Sequence, residues 1–391
     1  MNTKKLILTL ALTALLSTGC TKKTYIYLDG LHVQGTAKYE KANIENASLT
    51  LSNALFGASD ITSIKNALVY LVDTTDNDRV IVRGSTDSLG NFKLPLPDSH
   101  RNTALAVRVY AISVKSYLDI KVQDRSGNGD PYFVESSSFV GTNKVIEILA
   151  TRSSGLAGAF NIFTQTHRGI DFVRSRAEPD TEFPDIRIDW KPGGGGPDCS
   201  CFFEGYTLIP NRIHIHDYDD FDDSVLLHEL GHYMQHVFSK DDSPGGIHNI
   251  DCSQSQNLDP RLAWSEGWAS GFAMMVLEKG RYIDTDPSGG FFFDIEIPCA
   301  INAGPRDEIA VAAMYLDLYD GSNSGMYDAD NDSVSLTFAQ IWTAMKAINN
   351  SNATVYDFYL ALIDTGAISI VEWDQAFFEI GLDRSSLEVA N

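Results

Sequence analysis

The stretch from Val225 to His236 reads VLLHELGHYMQH, which sets His228, His232 and His236 four residues apart and places Glu229 directly after the first. Residues four apart lie on one face of an α-helix, about 6 Å apart along its axis, so two imidazoles at that spacing reach one ion. Eight residues rise about 12 Å, whereas zinc–nitrogen bonds are roughly 2.0–2.1 Å, so no single ion takes both His228 and His236 from a straight helix. His228 and His232 are the predicted ligand pair, and His236 is a bystander. A third histidine can follow such a pair when a glycine first turns the chain. Here the following residues are YMQHVFS, with no glycine. Glu229 stands where a carboxylate can take a proton from an attacking water without binding the ion, then deliver it to a leaving amine. Val225, Leu226, Leu227, Leu230, Gly231, Tyr233 and Met234 are all uncharged, as expected around a buried metal helix. The competing reading is a core helix whose histidines are simply hydrogen-bonded; the complete His-Glu-x-x-His pattern weighs against it.

A catalytic zinc takes three protein ligands and keeps one position open, so one more must come from elsewhere. The nearby candidates are His214 and His216 before the helix, and His248 and Glu266 after it. Glu266 sits in RLAWSEGWASGFAMMV among Trp264, Gly267, Trp268, Ala269 and Phe272. A carboxylate in that setting is costly unless it is paired or metal-bound, so Glu266 is the predicted third ligand. His248, in the loop PGGIH, is the candidate donor to the oxyanion of a tetrahedral intermediate. Tyr315 and Tyr319 are alternative donors, although their helical spacing reads first as core. His214 and His216 alternate with Ile213 and Ile215, so they share one face of a strand on which an extended substrate could pair; the rival reading is a surface strand. DADND, Asp328 to Asp332, begins like a calcium loop but lacks the glycine and the late glutamate, so it reads first as a solvated acidic turn and second as a Ca2+ site.

The elements that must position these residues change character along the chain. From about Tyr25 to Ala150, NALVYLVDTT, DRVIVRGSTDSLGNFKLPLP and TALAVRVYAISV alternate apolar and polar residues between Asp, Asn, Gly and Pro turns, the pattern of an all-β sandwich. After Thr151, SGLAGAFNIFTQTHRGIDFVRSR has helical spacing, DIRIDW and NRIHIHDY read as strands, and five helices are predicted beyond Asp223. KPGGGGPDCSC has no following Lys-Ser/Thr and opens no helix, which makes it a poor phosphate loop.

Three resemblances add to this reading. HELGHY followed by SEGWA resembles the gluzincin arrangement of metallopeptidases, in which a glutamate on a second helix completes a site of two histidines and one glutamate. DDSPGGIHN followed by LDPRLAWSEGWA is similar to a group of predicted secreted bacterial metallopeptidases with a Gly-Gly-x-His loop between the two helices. The likeness is close over about Phe221 to Ala269 and looser elsewhere. It implies a zincin-like fold, zinc, His228, His232 and Glu266 as ligands, and Glu229 as general base. Many gluzincins carry an aspartate four residues after the ligand glutamate to support a histidine; here that residue is Ser270, leaving Asp222, Asp223 or a backbone carbonyl as candidate supports. NALVYLVD followed by GSTDSLGNFKLPLP resembles the transthyretin-like or carboxypeptidase-regulatory-like β-sandwich, where a Thr-Asp-x-x-Gly-x-Phe turn links two strands.

The first nineteen residues carry Lys4 and Lys5, then an apolar run from Leu6 to Leu16 and small residues, which is an export signal. LLSTGC resembles a bacterial lipobox with Cys20 as the lipidated residue, although Ser17 stands where that pattern prefers an aliphatic side chain. Losing Lys4 and Lys5 takes the formal net charge from −22 to −24, which repels nucleic acid and anionic membranes. Membrane attachment is expected only through the lipid anchor. Cys199, Cys201, Cys252 and Cys299 remain, an even number in an oxidising compartment. Only Ser200 separates the first two, so each is expected to pair with Cys252 or Cys299; a zinc site of all four is the rival.

The expected organisation is a signal peptide (1–19), a lipidated N-terminus and linker (20–30), a transthyretin-like β-sandwich (31–150) and an α+β, mainly helical, zinc metallopeptidase domain (155–391). The expected activity is hydrolysis of peptide bonds in a peptide or protein substrate outside the cytoplasm. Two alternatives stand beside it: a zinc amidohydrolase acting on a cell-wall cross-link, and a non-catalytic surface binding protein with a structural zinc domain. An intact Glu229 argues against the second, because a structural site needs no general base.

Overall fold

The computed structural model describes residues 30–44, 59–125, 129–141, 143–193, 199–205, 209–246, 248, 258–285, 290–295, 304–320 and 334–390. The export signal, Cys20, Cys252, Cys299 and the 328–332 acidic run lie outside them.

A β-rich N-terminal region is followed by a mainly helical one. The strands of the first region are β1 (His32–Ala42), β2 (Ser59–Ser63), β3 (Ala67–Asp73), β4 (Arg79–Ser85), β5 (Asn91–Pro95), β6 (Leu105–Ser113), β7 (Leu118–Asp124), β8 (Phe133–Glu135) and β9 (Lys144–Ala150). β1 is central in the smaller sheet: its two halves pair antiparallel with β5 and β2, and β9 runs parallel along it. Its regular alternation buries Val33, Ala37 and Tyr39 on one face, the period-2 pattern of a half-buried strand. In the turn between β4 and β5, Asp87 Oδ1 accepts from the backbone N–H groups of Leu89 and Asn91, both at 2.8 Å, and Phe92 is buried.

The larger sheet does not stop where the β-rich region was expected to end. Helix α1 (Ala157–Arg176) is followed by β10 (Phe183–Trp190), β11 (Cys201–Phe203) and β12 (Asn211–His214), and the strand order is β11-β12-β10-β7-β6-β3-β4, with β8 also on β6. β10 runs parallel to β7 and to β12, so one sheet crosses from the first region into the second. The reason is burial: Leu118, Ile120 and Val122 of β7 are covered by α1, which packs against β6 and β7 as well as against β1.

Among the described residues seven helices follow: α2 (Asp223–Phe238), α3 (Pro260–Leu277), α4 (Glu308–Asp320), α5 (Phe338–Ala347), α6 (Val355–Thr365), α7 (Ile370–Phe377) and α8 (Arg384–Ala390). The last two, and a hairpin of β13 (Arg281–Asp284) and β14 (Phe291–Asp294), are additions to what the sequence pattern suggested. α3 is capped by Asp259, whose side chain accepts from Arg261 N, and has Pro260 in its first turn. Every residue of α3 from Leu262 to Leu277 is buried, so it has no solvent face and is covered by α2 and α4.

The expected cysteine pairing is overturned. Cys199 is bonded to Cys201, with Cα atoms 5.8 Å apart, within the usual range of about 4.4–6.8 Å. The two flank Ser200 at the start of β11, where residues two apart point to the same side of an extended chain. A site built from all four cysteines is ruled out with it.

Candidate metal centre

Two close helix contacts assemble the centre. At Gly231 on α2, an added Cβ would lie 2.8 Å from Ala269 Cα, so the absence of a side chain lets α2 and α3 touch backbone to backbone. Trp268 Nε1 donates to Gly231 O at 3.0 Å and fixes that contact. At Gly267 on α3, an added Cβ would meet Val311 Cβ at 2.5 Å and Glu308 O at 3.0 Å, which brings in the first turn of α4. The start of α2 is anchored to the β-rich region: Asp223 pairs with Lys41 of β1 and accepts from Asn161 Nδ2 at 3.1 Å, and Tyr39 donates to Asn161 Oδ1 at 3.2 Å.

His228, His232 and Glu266 are brought together. Glu266 Oε2 lies 3.1 Å from His228 Nε2 and 3.3 Å from His232 Nε2, and the two Nε2 atoms are 3.1 Å apart. Ligands around a tetrahedral zinc with bonds of roughly 2.0–2.1 Å are separated by about 3.3 Å. The donor set therefore fits a zinc ion: three atoms with lone pairs converge at the edge length of its coordination polyhedron. The other ring nitrogens are engaged, His228 Nδ1 with Ser270 Oγ at 3.0 Å and His232 Nδ1 with Ser265 Oγ at 3.3 Å, which directs both Nε2 atoms to the centre.

Ser270 thus stands in for the aspartate whose absence left the support unassigned, and Asp222 and Asp223 are corrected as supports. Asp222 instead accepts from the backbone N of Thr285 at 2.6 Å and its hydroxyl at 3.1 Å, and Asp223 serves Lys41 and Asn161. Asp241 Oδ2 lies 3.9 Å from His232 Nδ1.

The electrostatics follow from burial and partners. Burial works against the Glu266 carboxylate, but His232 and His228 outweigh it and hold it well below the usual carboxylate range. Burial opposes a charge on His232 too, yet Glu266 lifts it to about 10. Glu229, 6 % exposed, is pushed up mainly by burial, the direction a general base requires. Glu229 and His228 line a cavity of about 310 Å3, together with His248, Tyr282 and Glu308.

Of the remaining candidates His248 reaches the centre and the others are dispersed. His248 Nδ1 lies 3.5 Å from Glu266 Oε2 and 3.4 Å from Glu308 Oε2, and its pKa rises to about 9, chiefly through Glu308. His236 faces away, 3.4 Å from Glu204 and against Phe202. His214 is 3.1 Å from Asp189, and its strand β12 lies between β10 and β11. The expectation that an extended substrate pairs with that strand is corrected, because both edges are already bonded; among the described residues the end strand is β11. His216 reaches the cavity wall beyond the strand. Tyr315 is fully buried against Trp264, Trp268 and Phe358, and Tyr319 packs on Phe172. The tyrosine at the site is Tyr282 on β13, stacked on Phe293 with its ring centre 5.9 Å from that of His228. No spacing marked Tyr282, whereas Ser270, four residues after Glu266 on one helix face, was findable. Glu308, the charge just before the uncharged run IAVAAMYL, was also findable.

Residues 175–362 match the Mycolysin C-terminal domain. That is a domain of zinc metallopeptidases, and the match spans α2, α3 and α4. No curated protein matches the chain. Among solved structures, the major plantain pollen allergen Pla l 1 is 18% identical over 31% of this chain and 93% of its own, with a TM-score of 0.17. A 9R-lipoxygenase from Cyanothece is 12% identical over 33% of this chain and 17% of its own, with a TM-score of 0.14. Scores this low carry no argument about fold. The family match is consistent with a metallopeptidase that uses zinc. Among the described residues no helix is long and apolar enough to cross a membrane.

Proposed function

We propose that the protein is an exported zinc-dependent peptidase with a gluzincin-type centre, in which His228, His232 and Glu266 hold the metal and Glu229 is the general base. The observation that carries this reading is the convergence of His228 Nε2, His232 Nε2 and Glu266 Oε2 at 3.1–3.3 Å beside a cavity that Glu229 also lines. A zinc ion held there would acidify water and polarise the scissile carbonyl. Glu229, its proton affinity raised by burial, takes a proton from the attacking water and passes it to the leaving amine. His248 uses Nδ1 on Glu266 and Glu308, leaving Nε2 as the donor to the developing oxyanion. An extended peptide would pair with β11, the end strand beside the cavity. Export and anchoring through Cys20 rest on the leader-like first nineteen residues, and the net charge of −22 weighs against nucleic-acid partners.

The test compares the pure wild-type protein with Glu229→Gln for zinc content and for cleavage of a peptide library. Equal zinc in both, with kcat/KM about 1,000-fold lower in Glu229→Gln, is the expected result. Zinc without turnover by the wild type would instead favour the binding-protein reading, and turnover confined to cell-wall amides would favour the amidohydrolase.

A further inference from the structure

We infer that His248, Glu308 and Glu266 form a second divalent-cation site, sharing Glu266 with the first, so that the protein binds two metal ions side by side. This rests on the reading of His228, His232 and Glu266 as a metal site. One ligand atom from each of His248, Glu266 and Glu308 lies within 4.8 Å of the others. His248 Nδ1 is nearly equidistant from the two carboxylates, 3.5 Å from Glu266 Oε2 and 3.4 Å from Glu308 Oε2. A single N–H donating to a carboxylate shortens to about 2.7–2.9 Å and points at one oxygen. Spacings of 3.4–3.5 Å to two oxygens at once are those of atoms sharing an ion, close to the about 3.3 Å expected between ligands of a tetrahedral zinc.

The fold builds this arrangement. The close approach at Gly267 brings the first turn of α4 against α3 one residue from Glu266, and Glu308 is the first residue of α4. Glu229, Glu266 and Glu308 are only 5–7 % exposed, and no Lys or Arg side chain lines the cavity among the described residues. Paired metals about 3.5–4 Å apart that share ligands are an established hydrolytic arrangement, in which the second ion helps hold the attacking and leaving atoms.

The alternative is an imidazolium at His248 paired to Glu308 with one metal nearby, and the two differ in stoichiometry. Full-length protein is saturated with Zn2+, freed of loose ions by gel filtration and analysed for bound metal by mass spectrometry, beside His248→Ala and Glu308→Gln. Two zinc ions per chain in the wild type and one in each variant are expected. One ion in the wild type, or two in both variants, overturns the second site. No bound ion in the wild type removes the first site as well, so the two failures are distinguishable. Should either variant fail to fold, Co2+ titration of the wild type decides: two successive visible-absorption phases support the second site, and a single phase ending at one equivalent overturns it.

Discussion

Two groups of buried acids near the same helix behave in opposite ways. Around Glu266, the imidazoles of His228 and His232 overcome burial and hold the carboxylate ionised. At the start of α2, Asp219, Asp222 and Asp284 bring carboxylate oxygens within 4.8 Å of one another, with one imidazole at the edge of the group, His216 Nδ1 at 3.8 Å from Asp219 Oδ1. There burial prevails: it pushes Asp222 well above the usual range with Asp219 adding to it, and it raises Asp219 although Ser200 and His216 oppose it. The difference teaches that crowding carboxylates together does not make a charged centre. Nitrogen partners with free lone pairs do, because they favour the charged form in one state and share an ion with it in the other. Asp222 works instead as a hydrogen-bonded brace, holding Thr285 just after β13, the strand that carries Tyr282.

Four changes would break or sharpen this contrast. Glu266→Gln removes a proposed ligand, and zinc affinity measured by competition with a chelator is expected to fall more than about 100-fold, beyond the loss typical of an outer partner; unchanged affinity would remove Glu266 from the centre. Ser270→Ala frees His228 Nδ1, and the same measurement is expected to show a loss of about 10- to 100-fold with the fold intact. Gly231→Ala forces a Cβ against the Ala269 backbone, so denaturant unfolding is expected to show about 1–3 kcal/mol of destabilisation, with weaker zinc binding as α2 and α3 separate. Asp222→Asn keeps an oxygen for the Thr285 N–H and turns an amide NH2 to the Thr285 hydroxyl, which changes from donor to acceptor, so its stability at low pH is expected to stay within about 1 kcal/mol of wild type. The sign follows from linkage. A carboxyl whose folded pKa is raised contributes stability that is fully present below the unfolded value of about 3.9 and is lost as pH rises through the folded one. Thermal melts of the metal-free proteins should therefore show a shallower loss above pH 4 for Asp222→Asn; parallel curves would mean that Asp222 is ionised like Glu266.

Much of the centre was legible because its parts are local. The His228–His232 spacing and the exclusion of His236 follow from helical rise alone, and Glu266 stood out as a carboxylate in a mostly apolar helix. The β-rich region was legible for a similar reason, since period-2 alternation is a property of short segments. What escaped were relations between segments. Continuity of the larger sheet from β7 to β10 depends on a parallel pairing between strands separated by the whole of α1, which no window of sequence contains. The pairing of Cys199 with Cys201 depends on how the chain enters β11, and the loss of β12 as a substrate edge depends on β11 lying against it. Tyr282 reaches the cavity only because the hairpin packs beside α2.

Taken alone, the sequence determined which residues could share a metal and which could not, since that is fixed by residue type and by the geometry of one helix. The tertiary structure decided the partners. Two glycine contacts, at Gly231 and Gly267, bring three helices close enough for Ser270 to hold His228 and for Glu308 to stand beside Glu266. Helical rise acts over a few residues and can be read from them, whereas a backbone-to-backbone approach exists only once α2, α3 and α4 are packed.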